Sequence, residues 1–460
     1  MNEPLPAFLV FLALLLVLAW RAPKYLFAIW PVTLLVFPSM RTLFGGAPFY
    51  WYDAVSLLIL ARLYLGRELA QWPAGVPRWH WWFIGSALML GTLVPIVRYG
   101  FGPEMLWILA HASMAWMAYA IGVALYVAPQ GVTYRQLLTI GVFVALVITA
   151  AIAALEFGNE SLARAFNTFF FHDMQGQFVM LEDVGATVSS ARVNGPHADP
   201  NTFGGTSAIV CAVALLLIGQ QSRKLAWLAL ALAGVAVAAT VSRQVLVAAV
   251  VGGLVVAALG TGRARARVVG AAAVLVVVVV ASGVAGHWAQ RLSKWQGGVQ
   301  QDMNIVGRLV IGPQRMFTLI SQDPSVLVVG AGLDMQKLAK KSADSQERIG
   351  IYRYGFASNS FLLPLYYMGI VGFVINLAFW LWTLRKALQL PRDSRALDVA
   401  CVVTAMALVA SDNYASVVKV TVAVLFLLAA IVAGRWSTQA SPAAEPAVAS
   451  PKPRFANVLP

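Results

Sequence analysis

The chain has 460 residues, of which 60% are hydrophobic and only 11% are charged, and its mean hydropathy is +0.75. This composition excludes a soluble globular domain and predicts a polytopic membrane protein. The strand alternation of a membrane barrel is absent, so we expect an all-α integral membrane fold. The formal net charge is +14, but much of it lies in short loops between apolar runs, which is typical of membrane topology and not of nucleic-acid binding.

Residues 1–157 contain six apolar runs, which we interpret as N-terminal transmembrane helices because a helical span needs about 20 apolar residues. The runs lie near Pro6–Trp20, Tyr25–Met40, Phe49–Leu65, Trp81–Val97, Met105–Val127 and Leu137–Phe157. Pro31, Pro38 and the Gly45-Gly46 pair interrupt the second and third runs,. The first residues lack the basic region of a signal peptide, so the first run is expected to be retained as a span.

The rest of the chain divides into loops and further apolar runs. We expect a loop over 158–202, central transmembrane helices over 203–286, a long loop over 287–358, C-terminal transmembrane helices over 359–436 and a disordered tail over 437–460,. Seven apolar runs in these segments bring the predicted total to about 13 spans, within a range of about 12–14.

Basic residues in the short loops predict the orientation of these spans, because cytoplasmic loops are enriched in lysine and arginine. Cytoplasmic positions are expected for Arg223-Lys224, for the arginines at 263, 265 and 267, for Arg385-Lys386 and for Arg435, and the tail follows on the same side. The loops 158–202 and 287–358, together with Arg243, then lie on the opposite, periplasmic side.

The loop before the seventh run contains a compact group of functional residue types. Arg192 has a planar fork of donors that suits phosphate or carboxylate, and Pro196, Pro200 and Gly195 stiffen the backbone around it,. A cation on a stiff loop at a membrane surface indicates an anionic ligand. The alternative is an arginine that snorkels to lipid headgroups.

Further cations lie on the same predicted side. Arg243 stands at the mouth of a very apolar helix, where ionisable groups usually face a cavity or the bundle interior,. The long loop contains Arg308 and Arg315 within an excess of basic residues, which indicates a polyanionic or lipid-phosphate substrate,. A solvated loop face with internal charge pairing is the alternative.

Few residues could act as a general base. His197 and Asp199 lie in the Arg192 loop, and Glu182 and Asp183 precede it; each could accept a proton from a sugar hydroxyl, orient an arginine or bind hydroxyls,. No acidic pair with DxD-like spacing accompanies them, so neither a metal ion nor another cofactor is expected. Cys211 and Cys401 lie in apolar runs and are interpreted as small buried hydrophobes,.

Three separated pieces of the chain resemble the O-antigen polymerase and O-antigen ligase superfamily, the integral, GT-C-like membrane glycosyltransferases of bacterial surface polysaccharides. The first is Arg192–Gly205, and the second is Thr240-Val-Ser-Arg243. The third runs from Gly307-Arg308-Leu309 through Asp323-Pro324 and Gly330-Ala-Gly332 to Ser358-Asn359-Ser360-Phe361-Leu362 and Gly369-Ile-Val-Gly372.

The resemblance implies a substrate, a location and roles for particular residues. Such enzymes act in the bacterial inner membrane, at its periplasmic face and without a metal, on glycans attached to undecaprenyl diphosphate. Arg192, Arg243 and Arg308 inherit the role of holding the diphosphate, with Arg315 as a weaker candidate, while His197 and Asp199 are the catalytic candidates in the loop. Asn201, Arg315 and Asn359 are expected to bind substrate. Membrane lipids and other polysaccharide assembly proteins are the expected partners, and nucleic acid is not.

One departure from the family pattern favours a polymerase. Ligases of the family usually have a histidine immediately before the asparagine of the third piece, where this chain has Ser358. Our leading hypothesis is therefore a polymerase that joins lipid-linked repeat units of an exopolysaccharide or O-antigen. The alternatives are a ligase that transfers glycan to lipid A core or protein, a lipid-linked glycan transporter and a membrane scaffold.

Overall fold

The structure is a computed structural model. It describes residues 5–38, 40–44, 47–73, 75–99, 103–159, 193, 195–197, 200–218, 222–240, 242–262, 312–331, 361–411 and 419–440, with short helical pieces between 265 and 286. This part of the chain is nearly all helical (88%). The expected helical class is therefore confirmed for the described residues.

The first half forms seven α-helices and one β-hairpin. In chain order the elements are α1 (Leu5–Arg21), α2 (Leu26–Val36), β1 (Arg41–Phe44), β2 (Ala47–Tyr50), α3 (Trp51–Leu65), α4 (Trp79–Leu88), α5 (Val94–Tyr99), α6 (Pro103–Val127) and α7 (Gly131–Gly158). A π-helical turn, Met89–Leu93, joins α4 to α5, and short 3₁₀ turns precede α2 and follow α3.

The second half contributes eight further labelled helices. They are α8 (Pro200–Ile218), α9 (Arg223–Thr240), α10 (Arg243–Leu259), α11 (Gly312–Gln322), α12 (Ser325–Val329), α13 (Leu363–Gln389), α14 (Arg392–Ser411) and α15 (Lys419–Ala440). Connections of two to four residues join α6 to α7, α8 to α9, α9 to α10 and α13 to α14. Such short connections make α7, α9 and α14 the antiparallel neighbours of α6, α8 and α13, whereas α10 turns away from α9 and packs on α14,.

Six of these helices are long and apolar enough to cross a membrane: α7, α8, α9, α13, α14 and α15. Four shorter apolar helical stretches, Pro6–Arg21, Pro23–Val36, Ala112–Val127 and Arg243–Leu259, accompany them. The prediction of about 13 spans remains a prediction, as do the segment boundaries and the long periplasmic loop, most of which lies outside the described residues.

The hairpin departs from the all-α prediction. Arg41 pairs with Tyr50 and Phe44 with Ala47 in antiparallel register. The Gly45-Gly46 pair that separates the strands was interpreted only as an interruption of an apolar run. A glycine pair also suits a tight two-residue hairpin connection, so the sequence here was consistent with a β-hairpin as well.

Small residues allow the central helices to approach closely. A Cβ on Gly122 of α6 would come within 2.5 Å of Ala430 on α15. In a membrane such contacts stabilise helix pairs through van der Waals packing, because lipid tails leave little hydrophobic driving force between helices. Among the described residues, the largest fully buried side chains include Trp30, Trp380, Tyr52 and Tyr119, and the Trp30 Nε1–H donates to Ser56 Oγ at 2.8 Å.

The helix α13 is broken near its start. Gly369 has φ +66° and ψ −169°, which no helix contains. The backbone of the loop segment fills the break, because the Ala331 N–H donates to the Tyr366 carbonyl at 2.7 Å. Gly330 (φ +81°) lies against the Tyr367 carbonyl, and Gly369 lies against the Val328 carbonyl. The segment α11–α12 is thus docked through two glycines onto the first turns of α13.

Candidate active site

The first and second family-like pieces meet at the end of the bundle where α8 begins and α9 joins α10. The Ser242 Oγ–H donates to Asn201 Oδ1 at 3.0 Å, and Ser242 is 1% exposed. Gly204 leaves room for Thr240, whose Oγ1 would lie 2.7 Å from a Cβ at that glycine. Two motifs separated by about 40 residues therefore share one packed junction.

Asn201 lies in the first turn of α8, which begins at Pro200. Proline is well suited to the first helical position because its missing N–H is not needed there. The asparagine side chain is consequently directed to Ser242 and holds α8 against the α9–α10 connection.

Arg243 is the first residue of α10. Ser242 precedes it in an extended conformation, with φ −92° and ψ 110°, and the arginine is partly exposed. The amino terminus of a helix carries unpaired N–H groups and a partial positive charge, so it attracts anions. An arginine there adds a full cation, and the combination suits a phosphate-bearing ligand.

The described residues of the Arg192 loop are held from two sides. The Val193 N–H donates to the Ala239 carbonyl at 3.3 Å, and the Gly195 N–H donates to Glu156 Oε2 at 2.9 Å. Gly195 has φ +55°, and a Cβ there would lie 2.6 Å from the ring of Phe203. Only glycine combines this left-handed backbone with such close contact.

Glu156 is a candidate residue that sequence reasoning missed. It lies near the end of α7, is 4% exposed, and its Oε1 has no hydrogen-bond partner among the described residues. A buried carboxylate of this kind is expensive and usually functional in a membrane protein. The signal that could have revealed it was a single acidic residue within the apolar run Leu137–Phe157.

His197 is buried within the loop. Its ring stacks on Phe203 with centroids 5.5 Å apart, and it is 3% exposed. Burial lowers the pKa of His197 from 6.5 to about 3, so the imidazole is neutral at physiological pH and a weak proton acceptor. This environment favours a supporting role in the loop over general-base catalysis.

Several predicted site residues cannot be placed. Arg192, Asp199, Arg308 and Asn359 lie outside the described residues, as do Glu182, Asp183 and Ser358. Arg315 lies on α11, but its side chain is likewise outside the described part. Convergence of the three arginines on one diphosphate therefore stays a prediction, although Val193, the neighbour of Arg192, contacts the end of α9.

No group of three or more His, Cys, Asp or Glu residues suited to a metal ion occurs within the described residues. Cys211 and Cys401 are both buried free thiols. The absence of a metal from the reaction remains a prediction.

Fold and site together define a helical membrane protein whose polar motifs meet at one end of the bundle, around a buried carboxylate and a helix-terminal arginine. Residues 228–377 match the family model described as O-antigen ligase. This match confirms the resemblance to the O-antigen polymerase and ligase superfamily. No curated protein matches the chain, and no solved structure does so.

The matched segment contains Arg243, Arg308, Arg315 and Asn359, and the Arg192 loop precedes it. The Ser242–Asn201 hydrogen bond joins that loop's helix to the matched segment. The description of that family model points to a membrane enzyme of the O-antigen ligase or polymerase type.

Proposed function

We propose that this protein is a surface polysaccharide polymerase that joins repeat units carried on undecaprenyl diphosphate at the periplasmic face of the inner membrane. The observation that carries the proposal is the junction of Ser242 and Asn201, which holds Arg243 at the start of α10 beside the loop that follows Arg192. A cation at a helix amino terminus, set at the end of an apolar bundle, suits the phosphates of a lipid carrier.

The proposed reaction is an inverting glycosyl transfer. The hydroxyl of the acceptor unit attacks the anomeric carbon of the growing chain, the bond from that carbon to the diphosphate oxygen breaks, and the diphosphate leaves with the bonding electrons. Arg243, together with Arg192 and Arg308, stabilises the negative charge that develops on the leaving group. Fixed guanidinium groups do this without a metal ion, and Arg315 and Asn359 help to hold the substrate.

The acceptor proton passes to a carboxylate. Asp199 of the loop and Glu156 beneath it are the candidates. Glu156 has one oxygen engaged by the Gly195 N–H and a second without a partner in the described part of the chain. The stacked His197 instead stabilises the loop.

The distribution of cations supports a periplasmic location of the site. At the end of the bundle opposite the Ser242–Asn201 junction, Arg223 begins α9, and Lys386 and Arg435 lie near the ends of α13 and α15. Arg135 lies in the second turn of α7 at the same end. By the positive-inside rule that end belongs in the cytoplasm. The Ser242–Asn201 junction then lies at the periplasmic surface, where membrane lipids and other assembly proteins would deliver the substrate.

The second candidate is a ligase that transfers finished glycan to lipid A core or to protein. The description of the matching family model, O-antigen ligase, favours it. Ser358, which stands where ligases of the family usually have a histidine, favours the polymerase.

Lipid-linked intermediates in a deletion strain distinguish the two activities. A polymerase defect leaves single repeat units on the undecaprenyl carrier, because units are made but never joined. A ligase defect leaves long polymer on the carrier, because only the final transfer is lost. Mass spectrometry of extracted lipid-linked glycans measures the difference, and restoration by the wild-type gene is the control. Accumulation of long carrier-bound polymer would contradict the proposal.

A further inference from the structure

A basic cavity lies at the end of the bundle opposite the Ser242–Asn201 junction. It has a volume of about 340 Å³ and is lined by the α6–α7 connection, the first turns of α7 and the last turns of α15, including Arg135 and Arg435. Arg135 and Glu156 lie 21 residues apart on α7, which corresponds to about 30 Å along the helix. This distance matches the hydrocarbon thickness of a bilayer, so the cavity lies near the other membrane surface.

The cavity contains an excess of positive charge. Arg435 Nη1 donates to Asp398 Oδ1 at 2.6 Å, and that carboxylate is fully buried. Arg135 donates to the Leu125 carbonyl at 2.5 Å, its guanidinium carbon lies 4.7 Å from the Tyr126 ring centroid, and it forms no ion pair among the described residues. Two guanidinium groups therefore line the cavity, and the one carboxylate paired with them, Asp398, is not part of the lining. A guanidinium group has five N–H donors, and Arg135 Nη1 uses one of them on the Leu125 carbonyl.

Close backbone packing fixes the walls of the cavity. A Cβ on Gly434 would lie 2.5 Å from the Tyr126 ring, and one on Gly131 would lie 2.5 Å from the Leu125 carbonyl oxygen. The Tyr126 ring of α6 therefore lies between Arg135 of α7 and Gly434 of α15. A site that is formed before its ligand arrives loses less entropy on binding.

We propose that this cavity binds the phosphate of an anionic phospholipid from the leaflet on that side. Basic pockets between membrane helices at the cytoplasmic surface suit such headgroups. Thr438 and Gln439 in the lining offer hydroxyl and amide groups to the glycerol moiety, while Val132, 59% exposed, presents an apolar edge to the acyl chains. The bound lipid would bridge the start of α7 to the end of α15.

The test uses full-length protein in detergent, titrated with dioctanoyl phosphatidylglycerol and followed by thermal unfolding. The lipid should raise the melting temperature of the wild type, and Arg135→Gln should bind it about fivefold more weakly, as expected for one arginine near a membrane surface. Arg223→Gln is the matched control, because Arg223 is an exposed cation at the same end and outside the cavity. It should bind as the wild type does.

A second variant covers the case in which Arg135→Gln fails to fold. Gln439→Glu changes an exposed residue of the lining and introduces a negative charge, so it should also weaken binding. Equal stabilisation by dioctanoyl phosphatidylcholine, or by inorganic phosphate alone, would overturn the lipid proposal. Unchanged affinity in Gln439→Glu would overturn it as well. The titration needs no glycosyl transfer and is independent of the proposed enzyme function.

Discussion

At the residue scale, the candidate active site depends on polar side chains at helix ends whose partners come from distant parts of the chain. Arg243 was identified from its position before an apolar run, and Asn201 from its place in a motif. The Ser242–Asn201 hydrogen bond and the Gly195–Glu156 contact were not predictable, because both join residues about 40 positions apart. Helix packing, which no local pattern encodes, decides such pairs.

Ser242→Ala should reduce turnover moderately. It removes one hydrogen bond of about 0.5–1.5 kcal/mol, which corresponds to a loss of about two- to thirteenfold if the junction holds Arg243 in place. A double-mutant cycle with Asn201→Ala measures the coupling. The double variant should lose no more than the worse single variant. Fully additive losses would show that the two side chains act separately.

The neutral state of His197 predicts a loss of stability in acid. Its pKa is about 3 in the folded protein against 6.5 when unperturbed, so the unfolded chain binds the proton first as pH falls. Above pH 6.5, His197 contributes nothing to the pH dependence of the free energy of unfolding. Between pH 6.5 and about 3, this free energy falls with pH by up to about 1.4 kcal/mol per pH unit. Across this range, the melting temperature should fall less steeply with decreasing pH for His197→Gln than for the wild type.

The same variant tests the role of the histidine. If His197 supports the loop through stacking on Phe203, folded His197→Gln retains most of its turnover at neutral pH. A loss of more than about a hundredfold in well-folded protein, the range for a missing general base, would restore His197 as the proton acceptor.

At the element scale, the broken start of α13 anchors the segment that bears Arg315. The residues Gly330 and Gly369 belong to the third family-like piece, and each leaves room for the backbone of the other segment. The break itself was unpredictable, because the run around Gly369 is continuously apolar. The positive φ values of the two glycines and the Ala331–Tyr366 hydrogen bond show that two segments of the chain meet there.

Gly369→Ala should destabilise this docking. The new Cβ would overlap the Val328 carbonyl, and a non-glycine residue at φ +66° costs about 1–2 kcal/mol in addition. Faster tryptic cleavage after Arg315, together with a lower melting temperature, is the expected result. Gly85→Ala is the matched control, because a Cβ at Gly85 meets nothing within 4 Å. Equal cleavage rates in the two variants would contradict the anchoring role.

At the scale of the whole molecule, the apolar runs predicted an all-helical class, and this class is confirmed for the described part of the chain. The hairpin Arg41–Tyr50 was missed because an isolated two-stranded unit leaves only a short signal between two apolar runs. The number of spans could not be decided from the sequence, since several helices are shorter than a membrane requires, among them α10 and α2.

Cysteine labelling in intact cells tests the orientation of the bundle. Asn159→Cys, at the end of α7 near Glu156, should react with a membrane-impermeant maleimide added outside the inner membrane. Arg223→Cys, at the other end, should react only after the membrane is permeabilised. Both positions are exposed, and the native Cys211 and Cys401 are buried, so the unmodified protein provides the background. The reverse labelling pattern would place the candidate site in the cytoplasm.

The central claim is that Arg243 at the start of α10 stabilises the departing diphosphate. Its most direct measurement is turnover of purified protein on a synthetic undecaprenyl diphosphate oligosaccharide with a chelator present, for the wild type, Arg243→Ala and the exposed control Arg223→Ala. We expect longer glycans from the wild type and the control, and a rate about 10²–10³ lower for Arg243→Ala, the usual cost of one charge-stabilising donor. Wild-type turnover in a folded Arg243→Ala variant would contradict the account.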